Sequence, residues 1–160
     1  MSEIKLDKKD IKILELLQEN CKTSMRVIAR KIGSPLTTVH AKIKRMEKLG
    51  IIKGYKVILD GKKLGKKTAA FVFVSFAYNP PGSEEPLSQR EIIKKIAKFP
   101  EVQEVHIITG DWDILIKVRV EDTDAVGRFV VDKLRKVKGI EKTLTCTIFG
   151  TGKETLDIGF

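Results

Sequence analysis

The sequence predicts an α+β chain: a small three-helix unit carrying a helix-turn-helix, followed by a βαββαβ unit. Three observations carry that expectation. Apolar residues recur at helical spacing through the first 50 residues. The pattern then changes to strand-like runs alternating with helical ones, and a basic, glycine-bearing stretch separates the two regimes. With 160 residues, 42% hydrophobic and 32% charged, the chain can build one core or two small ones and is too apolar for disorder.

From Asp7 to Glu19, Ile11, Leu14 and Leu17 repeat at helical spacing, and Ile13 and Leu16 widen the stripe. Asp7 is the expected N-cap and Asp10 a first-turn acid. Ser24 caps a second, short helix with Ile28, Ala29 and Ile32 inward and Gly33 at its end. A third begins near Ser34 and Pro35, turns Val39, Ile43 and Met46 inward and stops at Gly50. Two short helices joined by a glycine-bearing turn make a helix-turn-helix. The outward side of the last helix carries Thr37, Thr38, His40, Ala41, Lys42, Lys44, Arg45 and Lys48.

Residues 51–60 are β-branched and read as a strand or wing, which makes the first domain a winged-type helix-turn-helix. The run GKKLGKK at 61–67 is a basic linker. Next come a strand at TAAFVFVSFAYN, the proline-punctuated loop NPPGSEEP, and a helix over 88–98 with Ser88 and Glu91 as a capping box. Strands over 102–109 and 114–120 flank the tight turn Gly110-Asp111-Trp112-Asp113. A further helix starts at Asp122 or Thr123 and ends before Gly139, and a strand over 140–149 completes the set. That order is the ferredoxin-like one. The predicted division is 1–52 for the helix-turn-helix domain, 53–66 for a linker strand and basic linker, and 67–160 for the ferredoxin-like domain of ligand binding and oligomerisation. Phe71, Phe73 and Ser75 alternate with Val72, Val74 and Phe76, so both faces of the first strand are largely apolar. Helices cover one face; a second copy of the chain is the expected cover of the other.

Charge supplies the first functional clue. The chain carries a net +10, of which residues 21–60 hold +8, from ten basic residues against Glu47 and Asp60. A positive field so concentrated suits a polyanion. On the third helix, early polar residues reach base edges and later cations suit phosphates, so double-stranded DNA is the expected partner. The candidate contacts are Arg26, Thr37, Thr38, His40, Lys42, Lys44, Arg45 and Lys48. Other classes find little support. The longest nearly unbroken apolar run, Ala69 to Ala77, is far short of the roughly 20 residues of a membrane span, and no secretory signal is visible, so a cytoplasmic protein is expected. Cys21 and Cys146 join no metal-type cluster, and no metal or cofactor is expected. Gly150-Thr151-Gly152-Lys153 lacks the first glycine and the final hydroxyl of a phosphate loop, having Thr147 and Glu154 there. Asp111 and Asp113 read as turn formers, His106 as a structural histidine, and no nucleophile has its base. No enzyme is expected. Asn and Gln number only five beside abundant Lys and Glu, which hints at a heat-adapted source.

LDKKDIKILELLQENCKTSMRVIARKIG followed by TTVHAKIKRMEKLGIIKGYKVILD closely resembles the N-terminal domain of the Lrp/AsnC (feast/famine) transcription regulators. Gly110-Asp111-Trp112-Asp113, then Gly139-Ile140 and Thr143-Leu144-Thr145, resembles that family's C-terminal effector domain. The resemblance covers almost the whole chain and suggests an archaeal or thermophilic member. It implies DNA binding by the helix-turn-helix, homodimers that in many members build octamers, and small effectors, usually amino acids, bound where dimers meet. The expected effector set is Gly110, Asp111, Trp112, Asp113, Thr143 and Thr145, with a carboxylate taking the ammonium and hydroxyls and backbone N–H groups taking the carboxylate. Two departures stand out: Pro35 occupies the usual place of a serine, with Ser34 displaced one residue back as the expected cap, and Lys42 stands where an arginine is usual. The loop at 79–90 is longer than usual. The alternative reading is an amino-acid sensor or assembly module with little specific DNA binding.

Overall fold

The computed structural model describes residues 4–82 and 85–160; residues 83 and 84 of the loop expected to be long lie outside the described residues. The chain forms two compact units, Met1–Ile58 with Glu154–Phe160, and Leu59–Lys153. The expected second domain ran to residue 160, whereas the last seven residues group with the helices. Their contact is a paired one: Gln18 Nε2 donates to the Ile158 carbonyl at 3.0 Å, and the Ile158 N–H donates to Gln18 Oε1 at 2.8 Å.

The helical unit holds α1 (Lys8–Glu19), α2 (Met25–Ile32) and α3 (Leu36–Lys48). A reciprocal box starts α1: the Asp10 N–H donates to Asp7 Oδ1 at 2.8 Å, and the Asp7 N–H donates to Asp10 Oδ2 at 3.0 Å. Ser24 Oγ accepts from the Val27 N–H, and Gly33 ends α2 in the left-handed region. The core joins Ile13, Leu14, Leu16, Ile28, Ala29, Val39, Ile43 and Met46. Compared with the expected stripe, α1 is rotated, with Ile13 and Leu16 deepest and Ile11 and Leu17 only half-buried. The expected cap of α3 is also different. Pro35 holds the N-cap position with no side-chain hydrogen bond, and Ser34 Oγ accepts from Lys9 Nζ instead. Residues 53–60, expected as a strand, have no sheet partner among the described residues and are exposed.

The second unit holds β1 (Thr68–Phe76), α4 (Gln89–Ile96), β2 (Val102–Ile107), β3 (Ile114–Val120), α5 (Thr123–Arg128) and β4 (Ile140–Thr147). The helix begun by α5 continues as a π-type turn over Phe129–Lys133 and a short 3₁₀ turn over Leu134–Lys136. The sheet is antiparallel in the order β2-β3-β1-β4. Ala70, Val72, Val74 and Phe76 with Ile114, Ile116 and Val118 form the face against which Ile92, Ile96, Val126, Phe129 and Leu134 pack. Register places Phe73 opposite both Leu115 and Leu144 on the other face, which no element among the described residues of this unit covers as helices cover the first. The capping box at α4 does not form: Ser88 is the N-cap but makes no side-chain bond. His106 is exposed, with Nε2 3.4 Å from Glu104 Oε2, so it is no interior histidine. Gly139 has φ +95°, and a Cβ there would lie 2.6 Å from Phe76 Cε2. Only glycine suits both conditions.

Candidate functional site

Rotation of α3 is fixed from within. Val39, Ile43 and Met46 are at most 4% exposed, so the opposite stripe of the helix must face water. Thr37, His40, Lys44 and Lys48 lie on that stripe and are all exposed. Arg26, in the first turn of α2, joins them across an open cleft of about 530 Å³ lined also by Ser24, Met25, Leu36, Thr37 and His40. The structure thus brings Arg26, Thr37 and His40 together and aligns Lys44 and Lys48 behind them.

Thr38, Lys42 and Arg45 fall on the flank that turns toward α1. The expectation that Lys42 projects outward is not met. Its side chain is 17% exposed, and Nζ donates to Asp7 Oδ2 at 2.5 Å and to Asp10 Oδ1 at 3.0 Å. Arg45 Nη2 donates to Asp10 Oδ2 at 2.7 Å. Asp10 is fully buried, and a buried carboxylate needs partners of this kind to remain charged at bearable cost. Two cations of α3 therefore hold the helix to α1. The Lys42 hydrogen bond, followed by the Asp10 N–H, lowers the Asp7 carboxyl to about 2 from its ordinary 3.8. The same bond raises the Lys42 ammonium against the opposing effect of desolvation. Sequence reasoning took Asp7 as an N-cap and Asp10 as a first-turn acid, with no partner on α3 for either. The available signal was spacing: Asp7 and Asp10, like Lys42 and Arg45, are three apart, which places each pair on one helix face.

In the second unit, Gly110 (φ +122°) bends the chain between β2 and β3. Asp113 is anchored at both main-chain and side-chain atoms: its N–H donates to the Val74 carbonyl at 2.9 Å, and its Oδ2 accepts the Phe76 N–H at 2.8 Å. The two carboxylates of the turn thus differ, with Asp111 exposed and Asp113 half-buried at the end of β1. Trp112 lies beside Phe73, ring centroids 6.3 Å apart, on the face away from the helices. Thr143 and Thr145 do share one face of β4. Register sets them opposite Val74 and Val72, on the helix side of the sheet. β1 stands between them and the turn, a separation of two strand spacings or about 9–10 Å. Within one protomer, then, Trp112 and the two threonines do not converge. Sequence reasoning missed Arg135, whose guanidinium donates to Thr143 Oγ1 at 3.1 and 3.3 Å. No pattern in the sequence singles that arginine out.

Comparisons with known proteins agree on both units. The family model for the Lrp/AsnC ligand-binding domain matches residues 70–158, and that for a winged helix-turn-helix DNA-binding domain matches residues 6–53. A Pyrococcus abyssi protein described as an uncharacterized HTH-type transcriptional regulator is 43% identical over 156 residues, covering 98% of this chain and all of the relative. A Pyrococcus horikoshii regulator of the same description is 41% identical, covering 94% of this chain and 97% of its own. Among solved structures, a Neisseria meningitidis transcriptional regulator in complex with L-Met superposes with a TM-score of 0.87 at 26% identity, covering 97% of each chain. Escherichia coli AsnC does so with a TM-score of 0.81 at 25% identity, covering 94% of this chain and 97% of its own.

Proposed function

The chain belongs to the Lrp/AsnC family of HTH-type transcriptional regulators, and from that premise we propose how it reads DNA and what it senses. In this reading α3 enters the major groove with Thr37 and His40 at base edges, while Arg26, Lys44 and Lys48 meet phosphates. Thr38 and Arg45 lie at the margin of the contact, and Lys42 is withdrawn from it. One observation carries the reading: burial of Val39, Ile43 and Met46 leaves Thr37, His40, Lys44 and Lys48 as a single exposed stripe. The DNA-binding part is residues 1–52, joined through 53–66 to the ferredoxin-like part.

The sheet face bearing Phe71, Phe73, Leu115 and Leu144 pairs with that of a second copy, and the resulting homodimer presents two α3 helices to two half-sites. An amino acid is the proposed effector, supported by the ligand-binding family model and by the L-Met complex of the Neisseria neighbour. Because Trp112 and Thr143 diverge within one protomer, the effector site is read as composite, completed by another subunit. Regulation rather than catalysis is the activity, and the compartment is the one that holds the DNA.

The test is a fluorescence-anisotropy titration of the full-length protein. One duplex is enriched by it from a random library; the other is a scrambled duplex of equal length. Specific binding at least about a thousandfold above the scrambled duplex, with a steep salt dependence, is the expected outcome. Equal affinity for the two duplexes would leave the sensor-or-assembly reading in its place.

A further inference from the structure

Within α2 and α3 the exposed large apolar side chains are Met25 and Leu36, 38% and 43% exposed. Each opens the first turn of its helix, and both line the cleft shared by Ser24, Arg26, Thr37 and His40. An apolar floor in the middle of a surface proposed to meet a polyanion is unexpected. Every other exposed position of α3's outward stripe is polar, charged or alanine. Desolvating Met25 and Leu36 against water-loving phosphate would gain nothing. In the major groove, however, one base-edge group is apolar: the C5-methyl of thymine.

We propose that Met25 and Leu36 form a methyl-reading floor that selects thymine in double-stranded DNA. The proposal rests on the groove placement of α3 given above and adds to it the base that is read and the side chains that read it. Charge complementarity sets the occupant. Arg26 in the lining of the same cleft, with Arg30 and Lys44 exposed on the same two helices, draws the duplex backbone to its margin and leaves base edges to meet the two apolar side chains. Thr37 and His40, on the same cleft, supply hydrogen bonds beside the methyl contact. Moving one methyl-sized group out of water is worth about fourfold in affinity, and about sixteenfold when both half-sites of a dimer's site make the contact.

The experiment replaces each thymine of the library-enriched duplex by deoxyuridine, symmetrically in both half-sites, and measures affinity by anisotropy. Deoxyuridine keeps the pairing edge and removes only the methyl. At one or two positions per half-site the wild-type protein is expected to lose about sixteenfold. In Leu36→Ala or Met25→Ala, both partly exposed and checked by thermal unfolding, that loss falls below about twofold. Indifference to deoxyuridine at every position, an enriched site with no thymine, or an undiminished loss in both variants overturns the proposal while leaving the groove placement intact. Failure to enrich any sequence overturns the placement and the proposal together.

Discussion

Lys42 and Lys44 are two residues apart on one helix and have opposite tasks. Lys44 is exposed, so Lys44→Ala is expected to weaken enriched and scrambled duplexes alike and lower the salt slope by about one, read by anisotropy at four salt concentrations. Lys42→Ala is expected instead to lower stability by about 1.5–3 kcal/mol in urea unfolding, because Asp10 is fully buried and loses one of its two cations. Asp7 gives a pH signature. Its folded pKa of about 2 lies below the ordinary 3.8, so its contribution to stability is complete above pH 4 and disappears as pH falls from about 4 to 2. Acid unfolding followed by circular dichroism should therefore show wild type and Asp7→Asn converging across that window and differing above it. Little of this was legible in the sequence. Periodicity tells which side chains of α3 are apolar and inward; which flanking cations meet α1 depends on how two helices cross.

At the scale of elements, helices and strands were largely legible because their apolar periods are strong, as in Val39-Ile43-Met46 and in the alternation along β1. Caps and faces were less so. Ser88 and Ser34 have the right chemistry for N-caps, yet neither bonds the first-turn amides: Ser88 holds the N-cap position without a side-chain bond, and Pro35 takes that position in α3 while Ser34 accepts from Lys9. Thr143 and Thr145 were correctly placed on one face of β4, but which face depends on register with β1, a pairing some 70 residues away in sequence. That register also makes Gly139 irreplaceable. Gly139→Ala is expected to cost about 1–3 kcal/mol in thermal or urea unfolding, since an alanine there is both at positive φ and in contact with the Phe76 ring. The effector turn needs similar care. Asp113→Ala removes the acceptor of the Phe76 N–H, whereas Asp113→Asn keeps an oxygen for it and loses only the charge. Calorimetric screening of amino acids against both variants is expected to show weakened binding in each, with loss of unfolding temperature confined to the alanine. Full affinity in Asp113→Asn would place the ammonium elsewhere.

For the whole molecule, the sheet has one face under helices and another carrying Phe71, Phe73, Leu115 and Leu144 with Lys117 among them. Light scattering at micromolar concentration is expected to give a dimer or larger species. Phe73→Glu, which sets a charge at the centre of that face, should give monomers that remain folded, because the helix-side core is untouched. The order of elements and the concentration of charge made the two units legible in the sequence; the return of residues 154–160 to the helical unit was not legible, since Gln18 meets the main chain of Ile158 there and backbone atoms carry no sequence signature.

The pairing of Asp7 and Asp10 with Lys42 and Arg45 has a consequence for anyone wishing to redirect this regulator. Recognition helices are often treated as interchangeable cassettes. Here a transplanted α3 lacking cations at 42 and 45 would strand a fully buried aspartate, and an α3 moved to another host would carry two cations that seek carboxylates no longer present. The smallest exchangeable cassette is therefore α1 and α3 together. Variation that alters specificity while preserving the fold is channelled into Met25, Arg26, Leu36 and Thr37, which are exposed in the first turns of α2 and α3 and lie outside the buried core.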